Sequence, residues 1–228
     1  MKLFKTLLLG VAALSAAWTD AGACSRVVYL GDDGLVLVGR TLDWRTPIPT
    51  NLYVYPQGIQ KASMPSGPRL EWTSRYGSVL AVGYDGGVTE GMNEKGLTVN
   101  GLFCKTAVYT AAPKDSDMPV MSLALFISYF LDNFATVAEA DAWLDTNSFG
   151  IWGQTFDGGT VSTLHWALTD ASGETLLLEY VDGKLNRYRG RELQVLTNDP
   201  DHPQMMAIEK YWEAVNGVNM LTGTDRSA

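Results

Sequence analysis

Cysteine is scarce in this chain: Cys24 and Cys104 are the two copies among 228 residues, too few for a disulfide-built scaffold. Histidine is as rare. His165 and His202 stand 37 residues apart with no cysteine or carboxylate cluster beside them, so neither a metal site nor a bound cofactor is expected. His165, mid-strand between Leu164 and Trp166, reads as a satisfied core histidine, and His202 as a solvated residue at a helix start. Basic residues are outnumbered, 17 Lys and Arg against 25 Asp and Glu, for a formal charge of −8. With no basic patch or arginine stripe, a nucleic-acid partner is disfavoured. The longest apolar run past residue 23, Met118 to Phe134, falls short of the ~20 residues a membrane span needs, and Asp132 interrupts its end. It reads as a buried core helix. No internal repeat, low-complexity linker or phosphate-cradling glycine loop is present.

What is there suits one domain. Apolar residues make up 46% of the chain and aromatics 11%, enough for a packed core in residues 24–228. The first 23 residues look made for removal. Lys2 and Lys5 precede an apolar run from Leu7 to Ala17, and Ala21-Gly22-Ala23 is a small-x-small cleavage pattern. A signal peptide over 1–23 predicts a periplasmic or secreted protein. Cleavage would make Cys24 the first residue, with thiol and free α-amine on one residue. An N-terminal amine can act as the base for its own nucleophile, and it titrates near pH ~8. Three other fates stay open for Cys24: lipid acylation, disfavoured by Ala21 where Leu is usual; a bridge to Cys104; or an inert buried thiol.

The pattern along the chain predicts an α+β domain, two packed sheets with helices outside. Strands are expected at Arg26–Leu30 and Leu35–Leu42 around the turn 31–34, then at Leu52–Tyr55, Ser78–Tyr84 and Leu97–Phe103. Pro56 to Pro68 reads as a loop. One helix is expected to start at Pro119, and another opens with the capping box Thr136…Glu139, turning Ala140, Trp143 and Leu144 inward. Strands follow at Thr163–Thr169, Thr175–Val181 and Leu193–Thr197, then a helix over His202–Val215. Gly150 to Gly159 reads as an irregular loop, and Cys104 as a buried thiol at a strand end.

The first hairpin has a chemical consequence. It returns the end of the second strand to the start of the first, so Arg40 and Asp43 come close to Cys24. A carboxylate there would orient the α-ammonium, and a guanidinium would favour thiolate over thiol. A structural ion pair at the strand end fits the same placement equally well.

The segment Gly39-Arg40-Thr41-Leu42-Asp43-Trp44 after such a cysteine resembles the choloylglycine hydrolase family of N-terminal-nucleophile hydrolases, which includes penicillin V acylases and bile salt hydrolases. Further motifs follow in order: Gly91-Met92-Asn93-Glu94-Lys95-Gly96-Leu97, Leu164-His165-Trp166, Thr169 to Glu174, and Val195-Leu196-Thr197-Asn198-Asp199-Pro200. Several ordered motifs are far more specific than one. The resemblance implies a four-layer αββα fold and hydrolysis of linear C–N amides in a small acyl-amide substrate. It implies Cys24 as nucleophile, Arg40 and Asp43 as its positioning groups, and the Asn198 side chain as an oxyanion donor. Where bile salt hydrolases carry Asn and penicillin V acylases Tyr, this chain has Phe103, leaving only a backbone N–H as second donor. That departure disfavours bile salts and favours penicillin V or N-acyl homoserine lactones. The family continues past residue 228 and holds an active-site arginine there; Arg226 aligns beside that position, so the domain is expected to be incomplete. The family includes homotetramers, which makes a homotetramer an expectation here too. Acyl transfer to another acceptor, and a non-catalytic exported binding protein, stand as alternatives.

Overall fold

The predicted hairpin forms. In a computed structural model that describes residues 24–155 and 161–215, β1 (Ser25–Leu30) and β2 (Val36–Thr41) pair antiparallel with Ser25 opposite Thr41 and Arg26 opposite Arg40. Asp33 and Gly34 take positive φ, 58° and 77°, to close the turn, which is why short polar and glycine residues stand there. The predicted leader 1–23, the aligned Arg226 and residues 156–159 of the expected 150–159 loop lie outside the described residues, and that stretch opens with a strand, Gly150–Trp152, rather than a loop.

The chain continues through β3 (Thr50–Tyr55), β4 (Gln60–Ala62), β5 (Glu71–Thr73), β6 (Ser78–Gly83), β7 (Gly87–Asn93), β8 (Thr98–Phe103) and β9 (Val120–Ser122). Helices α1 (Phe126–Asn133) and α2 (Val137–Thr146) follow, then β10 (Gly150–Trp152), β11 (Leu164–Thr169), β12 (Thr175–Val181), β13 (Lys184–Gly190), β14 (Val195–Thr197) and α3 (His202–Val215). Seven strands form one sheet in the order β13-β12-β11-β8-β7-β6-β3, and three form a second, β14-β1-β2. This is the expected α+β architecture.

The central strands are apolar on both faces because both faces are covered. Trp166, Leu168, Leu176, Leu178 and Tyr180 join Phe126, Ile127, Phe130 and Leu131 of α1 in the main core. The intervening Ala167 and Leu177, with Leu102, face the other way and pack with Leu196 and Cys24. Each large apolar side chain buried this way contributes about 1.5–3 kcal/mol. The second, smaller core sits between the sheets, and Cys24 is part of it. Across the outer face of the small sheet Val27, Tyr29, Leu37 and Val195 are exposed.

Pro119 does not begin a helix. Tertiary pairing claims the segment: the Pro119 carbonyl accepts from Gly150 N, Val120 N donates to the Pro68 carbonyl, and β9 runs parallel to β10. The helix starts later, at Phe126, after a short 3-10 turn. The loop expected over 56–68 contains β4, and the β4–β5 hairpin is fastened to α1. Lys61 Nζ lies 2.9 Å from Asp132 Oδ2 and 3.1 Å from Ser128 Oγ, and Trp72 Nε1 donates to Asp132 at 2.7 Å. The α2 cap forms as expected: Thr136 Oγ1 accepts from Glu139 N at 3.2 Å, and Glu139 returns a bond to Ala135 N at 2.8 Å. Ala140 is fully buried, and Trp143 and Leu144 pack against the core.

Strands β7 and β13 were not expected. Two glycines weaken the apolar pattern of β7, yet Gly91 is where α1 comes closest, since a Cβ there would meet Leu80 and Leu131 at 2.6 and 2.7 Å. β13 is a sheet edge in which exposed Lys184, Arg187 and Arg189 interrupt half-buried Leu185 and Tyr188. Among the described residues no single helix is long and apolar enough to cross a membrane.

Candidate active site

Cys24 is buried between the sheets, 4% exposed, at the mouth of β1. β14 pairs with β1 on the side opposite β2, with Ser25 facing Thr197, so the residue after β14, Asn198, arrives next to Cys24. The Cys24 nitrogen donates to Asn198 Oδ1 at 3.1 Å. With Oδ1 so engaged, the Asn198 amide has Nδ2 left as its donor.

Asp43 reaches Cys24 as the hairpin predicts, but through its backbone. The thiol lies 3.6 Å from the Asp43 carbonyl oxygen and is oriented to donate to it. The peptide nitrogen of Cys24 is met by Asn198 Oδ1; the expected pairing of the Asp43 carboxylate is with a free α-amine, which belongs to a chain that begins at Cys24. Arg40 also comes in from β2, with its guanidinium braced on the large sheet. Nη1 makes an ion pair with Glu90 at 3.1 Å, and Nη2 donates to the Gly101 carbonyl at 3.1 Å. Glu90 in turn accepts from Asn100 Nδ2 at 3.3 Å, and Asn100 Oδ1 accepts from Arg26 Nε at 2.9 Å. Arg26, completed by Thr169, is buried, and burial lowers its pKa to about 10. A polar chain thus runs from Arg26 through Asn100 and Glu90 to Arg40.

The backbone at Phe103 points usefully. Cys104 N donates to the Thr163 carbonyl, which makes 104 and 102 the positions of β8 bonded to β11. Gly101 and Phe103 therefore turn their backbone groups to the opposite side, where β7 pairing has ended at Asn100. Gly101 meets Arg40 there, and the Phe103 N–H faces the same side. The Phe103 ring packs edge-on against Trp44, centroids 5.0 Å apart. Both line a cavity of about 110 Å³ with Cys24, Leu42, Val88 and Leu164. The walls are mostly apolar, with Cys24 among them, which suits an acyl group rather than a charged one.

The two cysteines are free and buried, so no bridge joins them. His165 is a core histidine as expected, fully buried, and held on both ring nitrogens. Nδ1 lies 3.0 Å from Glu179 Oε1 and Nε2 lies 2.8 Å from the Thr197 carbonyl. Burial alone would lower its pKa, but the neighbouring Cys104 sulfur and the hydrogen-bonded Glu179 outweigh it and raise the value to about 9. His202 opens α3 as expected. Its ring packs on Tyr188 at 4.3 Å, and its backbone N–H donates to Glu179 Oε2 at 2.9 Å.

Sequence reasoning missed Glu90, Asn100, Arg26 and Glu179. Arg26 carried a signal, since it falls at an inward position of an alternating strand. So did Glu179: the 170–173 turn puts Thr169 opposite Thr175, and that register carried outward sets Glu179 across from His165.

Residues 24–224 match the family of linear amide C-N hydrolases, choloylglycine hydrolase family. The chain is 36% identical over 228 residues to a penicillin V acylase of Pectobacterium atrosepticum, taking in 96% of this chain and 61% of that protein. It is 29% identical over 187 residues to a bile salt hydrolase/transferase of Clostridium perfringens, covering 78% of this chain and 54% of that one. Among solved structures, a penicillin V acylase from Agrobacterium tumefaciens superposes with a TM-score of 0.77 at 41% identity, over 85% of this chain and 58% of that chain. A conjugated bile acid hydrolase variant from Clostridium perfringens shares the fold, with a TM-score of 0.69 at 23% identity. The chain spans roughly three-fifths or less of the length of these curated relatives.

Proposed function

The chain belongs to the choloylglycine hydrolase family of linear amide C-N hydrolases, and from that premise we propose that it hydrolyses an acyl amide with Cys24 as nucleophile. The observation that carries the proposal is that Cys24, bonded to Asn198 and Asp43, lines a largely apolar cavity.

In the full chain the Cys24 nitrogen is a peptide N–H. Removal of residues 1–23 on export converts it to an amine that can take the thiol proton. The thiolate attacks the amide carbonyl and forms a C–S bond. The negative charge that develops on oxygen meets Asn198 Nδ2 and the Phe103 N–H. The intermediate collapses, the C–N bond breaks, and the ammonium returns its proton to the leaving amine. Water then attacks the thioester with the same amine as base, releasing acid and thiol. Arg40, held by Glu90 and Gly101, fixes the floor of the site. The Asp43 carbonyl holds the thiol before attack.

The apolar cavity and the lack of a donor on the Phe103 side chain favour an apolar acyl group, as in penicillin V or an N-acyl homoserine lactone, over a conjugated bile salt. The experiment compares release rates for the three amides by the exported protein and by Cys24→Ala. Loss of all turnover in Cys24→Ala, with bile salt the poorest substrate, is the expected result. Unchanged turnover in Cys24→Ala contradicts the proposal, and a bile salt preference contradicts the reading of Phe103.

A further inference from the structure

The segment that carries Asn198 is short, Thr197 to His202, and both its ends are tied to one buried pair. His165 reaches across from β11 in the large sheet to the Thr197 carbonyl at the end of β14 in the small one. Its partner Glu179, on β12, uses one oxygen for the His165 ring and the other for the backbone N–H of His202. Between these ties Asp199 Oδ1 accepts from Lys105 N at 2.8 Å. His165 and Glu179 are 0% and 2% exposed. We propose that His165 and Glu179 are positioning residues that hold Asn198 against Cys24, and that they do so as an imidazolium–carboxylate pair.

The protonation state follows from the partners. Glu179 Oε1 and the Thr197 carbonyl oxygen are acceptors, and each faces a different ring nitrogen. A neutral imidazole has one N–H and one lone pair, so it would set a lone pair against an oxygen at one of the two contacts. An imidazolium satisfies both. Of the titratable groups around it, Glu179 on the neighbouring strand supplies the opposite charge that favours the cation, and Cys104 lies past the end of β8. Tyr188 on β13 and Asp201 before α3 lie farther out, around Glu179. Loss of the proton therefore releases one tie. If the Nε2 bond goes, Thr197 and the adjoining Asn198 lose their anchor to the large sheet. A shift of about 1 Å in a catalytic group can cost on the order of 10²-fold in rate.

The proposal rests on Asn198 acting in the reaction, so the experiment has one readout that needs no turnover. Nitrogen-15 spectra of the imidazole rings are simple, because the chain has two histidines, and His202→Gln assigns them. In the otherwise unmodified protein both ring nitrogens of His165 are expected to be protonated at pH 7 and to titrate on the alkaline side. In Glu179→Gln the His165 ring is expected to be neutral at pH 7. The amides of residues 198, 199, 201 and 202 should exchange with solvent at least ~10-fold faster, and kcat should fall about 10- to 100-fold with KM within ~3-fold. Should Glu179→Gln not fold, the ring spectra of the protein with native Glu179 still decide the charge state. A singly protonated His165 at pH 7 overturns the proposal. So does a Glu179→Gln protein whose exchange and kcat match those of the parent. Absence of turnover in the parent would instead sink the hydrolase reading, with ring protonation and amide exchange still deciding the clamp.

Discussion

The Cys24 nitrogen donates to Asn198 Oδ1 across 3.1 Å, joining residues 174 apart in sequence. The bond exists because β14 and β2 flank β1 on opposite sides and both end at its first residue. Asn198 is thereby fixed in orientation, with its amide NH2 as the group available to a developing oxyanion. Asn198→Ala is expected to lower kcat by ~10²–10³-fold with little change in KM, measured on the best of the three amides. Asn198→Asp should do nearly as badly, since it replaces the donor with a carboxylate. A loss confined to KM would show that Asn198 binds substrate without serving the transition state.

The histidine pair predicts an alkaline limit on stability. The folded pKa of His165 is raised to about 9 from 6.5. A raised pKa means the folded state binds the proton more tightly, so the contribution is complete below pH ~6.5 and is lost as pH rises through about 9. It is worth on the order of 3 kcal/mol for a buried group. The thermal midpoint should therefore fall between pH 7.5 and pH 10, and more steeply than in His165→Gln. Parallel profiles for the two proteins would contradict the assignment.

Lys61 and Asp132 form a further charge pair, with Trp72 on the same carboxylate. Asp132→Asn leaves the Lys61 ammonium without its counter-charge and is expected to cost about 3 kcal/mol in denaturant unfolding. Activity per folded molecule should be unaffected, because the pair joins the β4–β5 hairpin to α1, away from the residues lining the Cys24 cavity. A stability change below ~1 kcal/mol would mean the hairpin is held by apolar contacts alone.

Much of this was legible in the sequence, and for identifiable reasons. The 31–34 turn sits between two apolar strands, which fixes the β1–β2 register and hence the approach of Asp43 and Arg40 to Cys24. The α2 cap is a local signal and was read correctly. Pro119 misled because parallel pairing with β10 is a long-range choice that no local pattern reports. β7 hid behind its glycines, and with it Glu90, so the sequence showed Arg40 but not what braces it. Register brings the Asp43 backbone to Cys24, and the contact with the thiol is made by its carbonyl; the carboxylate's part is set by a free α-amine, which only removal of residues 1–23 would create. The clamp was half legible. His165 read as satisfied, and Glu179 in an apolar strand needed a buried partner, but its bond to the start of α3 depends on how the sheets stack.

The most direct test of the account is the intact mass of the protein after export, before and after brief iodoacetamide treatment. The account predicts a chain that begins at Cys24 and takes a single carbamidomethyl group on that residue, which lines the cavity and has the α-amine as its base, with Cys104, outside the cavity lining, left unmodified, and loss of amide hydrolysis in step with the label. A protein that hydrolyses amides while retaining residues 1–23, or after complete labelling of Cys24, would contradict it.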